Sequence, residues 1–252
     1  MPSPFRLDGQ LALVTGGGTG LGFGMCQAMT EAGARVVMTG RTERTLQEAC
    51  ERLGNSAGYT RHDLTDLPSI PGLVEEVESR FGPLDILVNN AGNHLKKAAV
   101  DTTDAELTRV LQTHLSGAYA LSRECGRRMI TRQRGAITMI VSMASLFGIP
   151  LVSGYTAAKS ALLGLTRALA VEYSPHGVRV NAIAPGWFDT ALNRQAFEGD
   201  PARLQKILSR TPLGRVGEAI DVGYAAVYLS SPAAKFVTGI VLPVDGGASI
   251  GF

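Results

Sequence analysis

Leu11-Ala12-Leu13-Val14-Thr15-Gly16-Gly17-Gly18-Thr19-Gly20-Leu21-Gly22 is the stretch on which the fold turns. Its first four residues are an apolar run of buried-strand character. Phe23, Met25, Cys26, Ala28 and Met29 then recur at helical spacing, and Gly33 is placed to end that helix. Strand, glycine-rich turn, helix is the local order that holds a phosphate, because glycines let backbone N–H groups approach it and the helix N-terminus favours negative charge. The spacing is T-G-x-x-x-G-x-G. It does not fit G-x-G-x-x-G, since Leu21 and Phe23 stand where a third glycine is needed. A flexible loop without a ligand is the plainer alternative, and a loop wedged between buried strand and apolar helix argues against it.

Strands and helices alternate along the rest of the chain. Strand candidates are Leu11–Val14, Val36–Thr39, Gly58–Arg61, Ile86–Asn89, Ala136–Val141, Arg179–Ile183 and Ile240–Val244, with the longest helical pattern at Asp104–Arg132. Continuous apolar strands separated by helices predict an α/β fold: one doubly wound parallel sheet of seven strands, covered on both faces, with its ligand at the switch point beyond the strands' carboxyl ends. A chain of 252 residues suits a single domain, 1–252, with room for a substantial core. At 45% hydrophobic, 18% charged and net charge +2, nothing points to nucleic acid or a membrane surface. Met1–Arg6 lacks the apolar core of a signal peptide and no run is long enough to span a bilayer, which predicts a cytoplasmic protein. Cys26, Cys50 and Cys125 read as reduced thiols. His62, His94, His114 and His176 show no ligand spacing, so no metal is expected.

Tyr155-Thr156-Ala157-Ala158-Lys159 sets a phenol and an ammonium four residues apart, on one face of a helix. A neighbouring cation favours the phenolate and so lowers the tyrosine pKa from about 10 toward the range useful for proton transfer. Alone the pair is weak, since such spacings arise on many solvated helices.

With these elements the chain resembles the short-chain dehydrogenase/reductase family over essentially its whole length. Asn89-Asn90-Ala91-Gly92 follows the strand Ile86–Val88 as the family's NNAG motif does. Ser142 closes a strand and lies thirteen residues before Tyr155. Asn181-Ala182-Ile183-Ala184-Pro185-Gly186 matches the approach to the family's Pro-Gly turn, Thr190 completes P-G-x-x-x-T, and Asp245-Gly246-Gly247 matches the closing motif. The resemblance implies a Rossmann-type domain and an oxidoreductase moving hydride between a nicotinamide and a carbonyl or secondary alcohol. Tyr155 would exchange the proton, Ser142 would hold the reacting oxygen, and Lys159 would lower the Tyr155 pKa and bind the nicotinamide ribose. It also implies a substrate lid at about 187–211 and a homotetramer. Ala157, Ala158, Ala161, Leu162, Leu165, Ala168 and Leu169, with the tail ending in Phe252, supply apolar surface for the latter.

The cofactor contacts implied are Thr15, Gly16, Gly18, Thr19, Gly20, Leu21, Gly22, Arg41, Asp63, Leu64, Asn90, Gly92, Tyr155, Lys159, Pro185, Gly186, the Phe188 backbone and Thr190. Where enzymes preferring NAD carry an acidic residue after the second strand, this chain has Gly40 followed by Arg41, a guanidinium suited to a ribose phosphate. NADP(H) is therefore preferred. Thr19 stands where a second basic residue is common in NADP-selective members, so NAD(H) stays open. The fourth catalytic position, an asparagine in the family that holds a helix distortion, aligns with His114. Either the replacement is tolerated, or it adds a group titrating near pH 6.5.

Ser142–Ser145, Ile183–Phe188 and Thr211–Gly217 look most like the branch acting on sugar acids, that of gluconate 5-dehydrogenase and keto-deoxy-gluconate dehydrogenase. His94, Lys96 and Trp187, with Ser142, are the candidate substrate contacts, Lys96 for a carboxylate; a solvated Lys96-Lys97 pair is the alternative. A 3-oxoacyl thioester reductase shares nearly all these motifs. A cofactor-binding sensor or scaffold without turnover is a reading of another class.

Overall fold

The computed structural model describes residues 3–191, 193, 194 and 199–251. Part of the region expected to form a lid, Leu192 and Gln195–Glu198, and the terminal Phe252 lie outside the described residues. The seven anticipated strands all form: β1 (Leu11–Thr15), β2 (Arg35–Gly40), β3 (Ala57–Arg61), β4 (Ile86–Asn89), β5 (Gly135–Ile140), β6 (Val178–Pro185) and, at the far edge, Val241–Val244. Their ends match the sequence reading to within two residues, and β4 matches it at both ends. Two short strands, β7 (Phe188–Asp189) and β8 (Gly217–Glu218), pair with each other apart from the main sheet, so the edge strand Val241–Val244 is β9.

The sheet runs β3-β2-β1-β4-β5-β6-β9 with every pairing parallel. Chain order reverses direction between β1 and β4. Parallel strands need crossovers that cover both faces. On one face α1 (Gly20–Glu31), α2 (Glu43–Leu53) and α8 (Ala219–Ser230) enclose Val14, Met25, Met29, Met38, Ile86 and Val222. On the other, α3 (Ile70–Phe81), α5 (Gly117–Thr131) and α6 (Ser153–Tyr173) enclose Leu13, Val77, Leu87, Leu121, Ile137 and Leu162. Strands β1 and β4 are buried along their whole length, which is why they read as unbroken apolar runs rather than alternating ones.

The helix expected over Asp104–Arg132 is not uniform. It comprises α4 (Asp104–Leu111), one π-turn at Gln112–Ser116, and α5. Tertiary contacts explain the break. The Gln112 side-chain amide donates to the Thr65 carbonyl at 3.0 Å, and a Cβ at Gly117 would come within 2.8 Å of the Leu64 carbonyl oxygen. The helix is thus held against the turn after β3, and the extra residue is absorbed where His114 points inward. Single π-turns of this kind cluster at functional sites.

Cys26 and Cys125 are free and buried, and burial pushes the Cys125 thiol up to about 12. Among the described residues no helix is long and apolar enough to cross a membrane.

Candidate active site

Two loops meet at the switch point, one after β1 and one after β4. Thr15, the last residue of β1, joins them: its hydroxyl donates to the Val88 carbonyl and accepts from the Asn90 and Ala91 amides, both at 2.9 Å. The Asn90 side-chain amide in turn donates to the Thr15 carbonyl at 2.9 Å and the Gly16 carbonyl at 3.3 Å. The Asn90 side chain therefore holds the glycine turn as well as bordering the cleft.

Within that turn Gly16 and Gly20 have positive φ of 65° and 53°, conformations that side chains disfavour. A Cβ on Gly22 would run into the Gly16 carbonyl oxygen. The backbone amides of Gly17 through Gly22, in the turn before α1 and its first three residues, donate to no acceptor among the described residues. Orphaned donors, a helix N-terminus and no room for side chains make a cradle fitted to a pyrophosphate. Thr190 approaches the same turn, 3.8 Å from where a Gly20 Cβ would stand. Gly186 donates its amide to the Val244 carbonyl at 2.9 Å and packs on Asp245, which explains the glycine after the buried Pro185. The Phe188 carbonyl accepts from Asn193 and Thr190, and its buried ring covers Gly217.

At the ends of β2 and β3, Arg41 is exposed and the Arg61 guanidinium donates to the Arg41 carbonyl at 3.0 Å. Register places Arg61 opposite Gly40, so two cations share the corner where sequence reading identified one. Asp63 holds a turn by accepting from the Thr65 amide and hydroxyl; these hydrogen bonds, with the nearby Arg41, keep its carboxyl below the usual range. Leu64 departs from expectation. Its side chain is buried in the core, so its main chain alone is available to a cofactor.

The residues expected to move the proton lie where β5 ends and α6 begins. Ser142 caps a short 3₁₀ turn, Met143–Ser145, its hydroxyl accepting from the Ala144 amide. Tyr155 lies in the first turn of α6, and Lys159 one turn further in donates to the Ile140 carbonyl at 2.6 Å. Lys159 is only 4% exposed, and burial lowers its pKa to about 7. Its Nζ stands 5.7 Å from the centre of the Tyr155 ring. The anticipated lowering of the phenol is not what this arrangement produces. Burial raises the Tyr155 pKa, and the Ser142 hydroxyl opposes this in part. An ammonium that is itself depressed to near neutrality carries a partial charge on average, and desolvation outweighs it.

Two imidazoles flank the phenol, His94 and His114, each with its ring centre 5.3 Å from that of Tyr155. His114 is buried, and burial followed by the Lys159 charge drives its pKa down to about 3. It is neutral at physiological pH, so the reading of it as a group titrating near 6.5 is overturned. Its Nε2 lies 2.8 Å from the Asn93 carbonyl oxygen and 3.2 Å from the Asn93 amide, while Nδ1 has no partner among the described residues. Protonating Nε2 satisfies the carbonyl and leaves an orphaned acceptor at Nδ1. The other tautomer would orphan a buried N–H, which costs more. His114 thus pins the NNAG loop, and its ring fills the space that a Cβ on Gly92 would need.

Of the lysine pair, Lys97 binds both carboxylate oxygens of Glu106 and is structural, whereas Lys96 is exposed. Trp187 is half-buried, and the Arg203 guanidinium, from α7 (Pro201–Ser209), lies 5.5 Å from its ring centre. Sequence reading missed Arg203. No spacing ties a residue of that irregular region to a motif, and only the fold brings it over Trp187.

Comparison with known proteins agrees with this geometry. A family model described as enoyl-(acyl carrier protein) reductase, the C2 form of the short-chain alcohol dehydrogenases, matches residues 16–249. The chain belongs to the short-chain dehydrogenase/reductase family. It is an oxidoreductase of that family. It is 40% identical to a galactitol 2-dehydrogenase (L-tagatose-forming) of Cereibacter sphaeroides, over 98% of this chain and 97% of that one. It is 39% identical to a 2-dehydro-3-deoxy-D-gluconate 5-dehydrogenase of Pseudoalteromonas atlantica, over 98% of each. A gluconate 5-dehydrogenase of Burkholderia cenocepacia, crystallised with NADP and tartrate, superposes with a TM-score of 0.94 at 34% identity, covering 99% of this chain and 98% of that one.

The protonation of His114 is directly measurable. Its depressed pKa means that folding stability is lost as pH falls from about 6.5, where the unfolded chain takes up the proton, toward about 3. Ring NMR should show no His114 titration between about pH 4.5 and 8, and His114→Asn should flatten the acid limb of stability against pH. A His114 midpoint near 6.5 would refute the buried neutral state.

Proposed function

We propose that this dehydrogenase is NADP(H)-dependent and interconverts a carbonyl and a secondary alcohol on a small polyhydroxylated substrate, a sugar or sugar acid. The observation that carries this reading is the meeting of Tyr155, Ser142 and Lys159 beside the glycine cradle, at the carboxyl edge of the sheet. Likeness over the whole chain to dehydrogenases of gluconate, keto-deoxy-gluconate and galactitol supports the substrate class. When bound, the nicotinamide supplies the carbon that gives or takes hydride.

The protein's own residues do the rest. Gly18, Thr19, Gly20, Leu21 and Gly22 hold the pyrophosphate through backbone donors, on a turn shaped by Thr15 and by Gly16, whose own amide donates to the Thr39 carbonyl. Asp63 and the Leu64 backbone border the adenine, and Arg41 binds the ribose phosphate. Asn90, Gly92, Pro185, Gly186, Phe188 and Thr190 line the nicotinamide end, and Lys159 binds its ribose. Ser142 fixes the reacting oxygen and stabilises charge on it. In reduction Tyr155 donates its proton to that oxygen, a role suited to a phenol whose raised pKa keeps it protonated. In oxidation it accepts the alcohol proton. Residues 187–211 cover the substrate.

The functional unit is a cytoplasmic homotetramer built on the α5 and α6 faces. Along α6, Ala157 and Ala168 are exposed, as is Val171 at 77%, so the helix keeps apolar surface outside its own core.

Tyr155→Phe should abolish turnover and leave cofactor binding nearly intact, since the hydroxyl alone carries the proton. More than about a tenth of wild-type rate, against the roughly 10²–10⁴-fold expected from positioned acid–base chemistry, would remove Tyr155 from the reaction. A panel of keto-gluconates, polyols, cyclic ketones, diketones and acetoacetyl thioesters assigns the substrate, and a preference for the thioester would replace a sugar by an acyl chain.

Arg41→Ala should weaken NADPH binding by about one to two decades, the worth of a charge-assisted contact, while barely changing NADH. Equal loss of both, measured by fluorescence titration, would make Arg41 structural. Light scattering at micromolar protein should give about four times the 26.6 kDa chain mass, and a fully active monomer would refute the assembly.

A further inference from the structure

His94-Leu95-Lys96 is a span held only by its ends. The backbone amides of these three residues donate to no acceptor among the described residues. On one side Asn93 is fixed: its carbonyl and amide meet His114 Nε2 at 2.8 and 3.2 Å, and its side-chain amide donates to the Thr113 hydroxyl at 3.1 Å. On the other side Lys97 is fixed twice. Its amide donates to the Leu151 carbonyl at 2.8 Å, and its ammonium donates to both Glu106 carboxylate oxygens, at 3.0 and 2.9 Å. Between these anchors the exposed His94 lies against Tyr155, with ring centres 5.3 Å apart and planes at 61°. Where His94 sits decides what covers that side of the phenol.

Both anchors lead to α4. Thr113 and His114 follow its C-terminal end, and Glu106 stands in its first turn. There the Glu106 carboxylate accepts from the Thr103 amide at 2.9 Å while the Thr103 hydroxyl accepts from the Glu106 amide at 3.3 Å, closing a capping box. These hydrogen bonds, with the Lys97 ammonium, hold the Glu106 carboxyl down at about 2, so the ion pair stays charged at neutral pH. The helix is braced in turn on the one that carries Tyr155. A Cβ on the buried Gly154 would come within 3.2 Å of the Leu107 side chain. Leu151, two residues before α6, has a φ of 68°, a left-handed conformation that a leucine keeps only where its surroundings impose it. Its carbonyl is the Lys97 acceptor. The loop, α4 and the start of α6 therefore form one braced unit around Tyr155.

We propose that Glu106 is a positioning residue, which through its ion pair with Lys97 holds His94 against Tyr155. The proposal rests on the proton-transfer role of Tyr155 given above and adds what keeps the surroundings of that phenol in place. A three-residue span pinned at both ends samples few conformers, and releasing one end returns conformational freedom to it. Misplacement of a group beside the reacting atoms is felt in the rate even when its cause lies outside the site. Glu106 acts through Lys97 and the loop, and the acid–base work stays with Tyr155.

Glutamine at position 106 still closes a capping box but offers Lys97 no charge, so Glu106→Gln separates the ion pair from the helix cap. Lys97→Met breaks the same pair from the other side. With isotope-labelled histidine, both variants should move the ring signals of His94 toward those of a solvated imidazole and leave those of His62 and His176 in place. On whichever carbonyl compound of the panel above wild type reduces fastest, both should lower kcat/KM by about two- to fivefold, the scale of a partly exposed ion pair. NADPH affinity should not change. The double variant should lose no more than either single one, since both remove one contact. Lys97→Arg, which can hold the carboxylate bidentately, should restore the His94 signals and the rate.

His94 signals that stay where they are in both single variants overturn the proposal. So does an unchanged kcat/KM, or a loss matched by an equal loss of NADPH affinity, which would make the pair a general support of the fold. Absence of wild-type turnover on every compound would instead refute the reaction reading, while the His94 signals would still decide whether Glu106 positions the ring.

Discussion

The Thr15 hydroxyl, accepting from two consecutive amides of the β4 loop, is the contact around which the site is organised. A parallel sheet whose connections diverge on either side of β1 and β4 opens a crevice there, and two loops leaving a crevice have no reason to stay together. Thr15 and Asn90 tie them by a reciprocal set of hydrogen bonds at 2.9 Å, buried enough that losing a partner would strand polar groups. The glycine turn keeps its donors directed outward because its carbonyls at Thr15 and Gly16 are already engaged from behind. The shape of the cradle and the placement of the two loops therefore depend on the same few atoms.

A second constraint is the burial of charge beside the phenol. Lys159 sits in the core end of α6 with one strong acceptor, Ile140, and this costs it most of its affinity for a proton. The same desolvation raises Tyr155 and drives His114 far below its ordinary range. On His114 the Lys159 charge adds to that desolvation. His114 in place of the asparagine expected by resemblance is compatible with this only because it stays neutral. The π-turn at Gln112–Ser116 brings it to Asn93, whose carbonyl accepts a hydrogen bond from its Nε2. An imidazolium there would face Lys159 without a counter-charge.

Much of this was legible in the chain. Strands β1 and β4 announce themselves because a strand covered on both faces must be apolar at every position. Gly16, Gly20 and Gly22 mark the cradle because positive φ and close backbone approach exclude side chains, and Tyr155 and Lys159 follow from helical periodicity. Each is a local requirement, written where it acts. The same cannot hold for Arg61, which joins Arg41 through the β2–β3 register, or for Arg203, which the fold sets over Trp187. The sense of the Tyr155 shift was misread for the same reason, since a lysine four residues away is visible in sequence and the protein that desolvates both is not.

Sequence by itself determined the fold class and the order of the motifs, because these rest on backbone geometry and on spacing within single elements. Tertiary structure decided the direction in which burial shifts Lys159, Tyr155 and His114, the burial of the Leu64 side chain, and the placing of Arg203 over Trp187. Electrostatics depends on distance through space and on how much water is displaced, and neither quantity is carried by the order of residues along the chain.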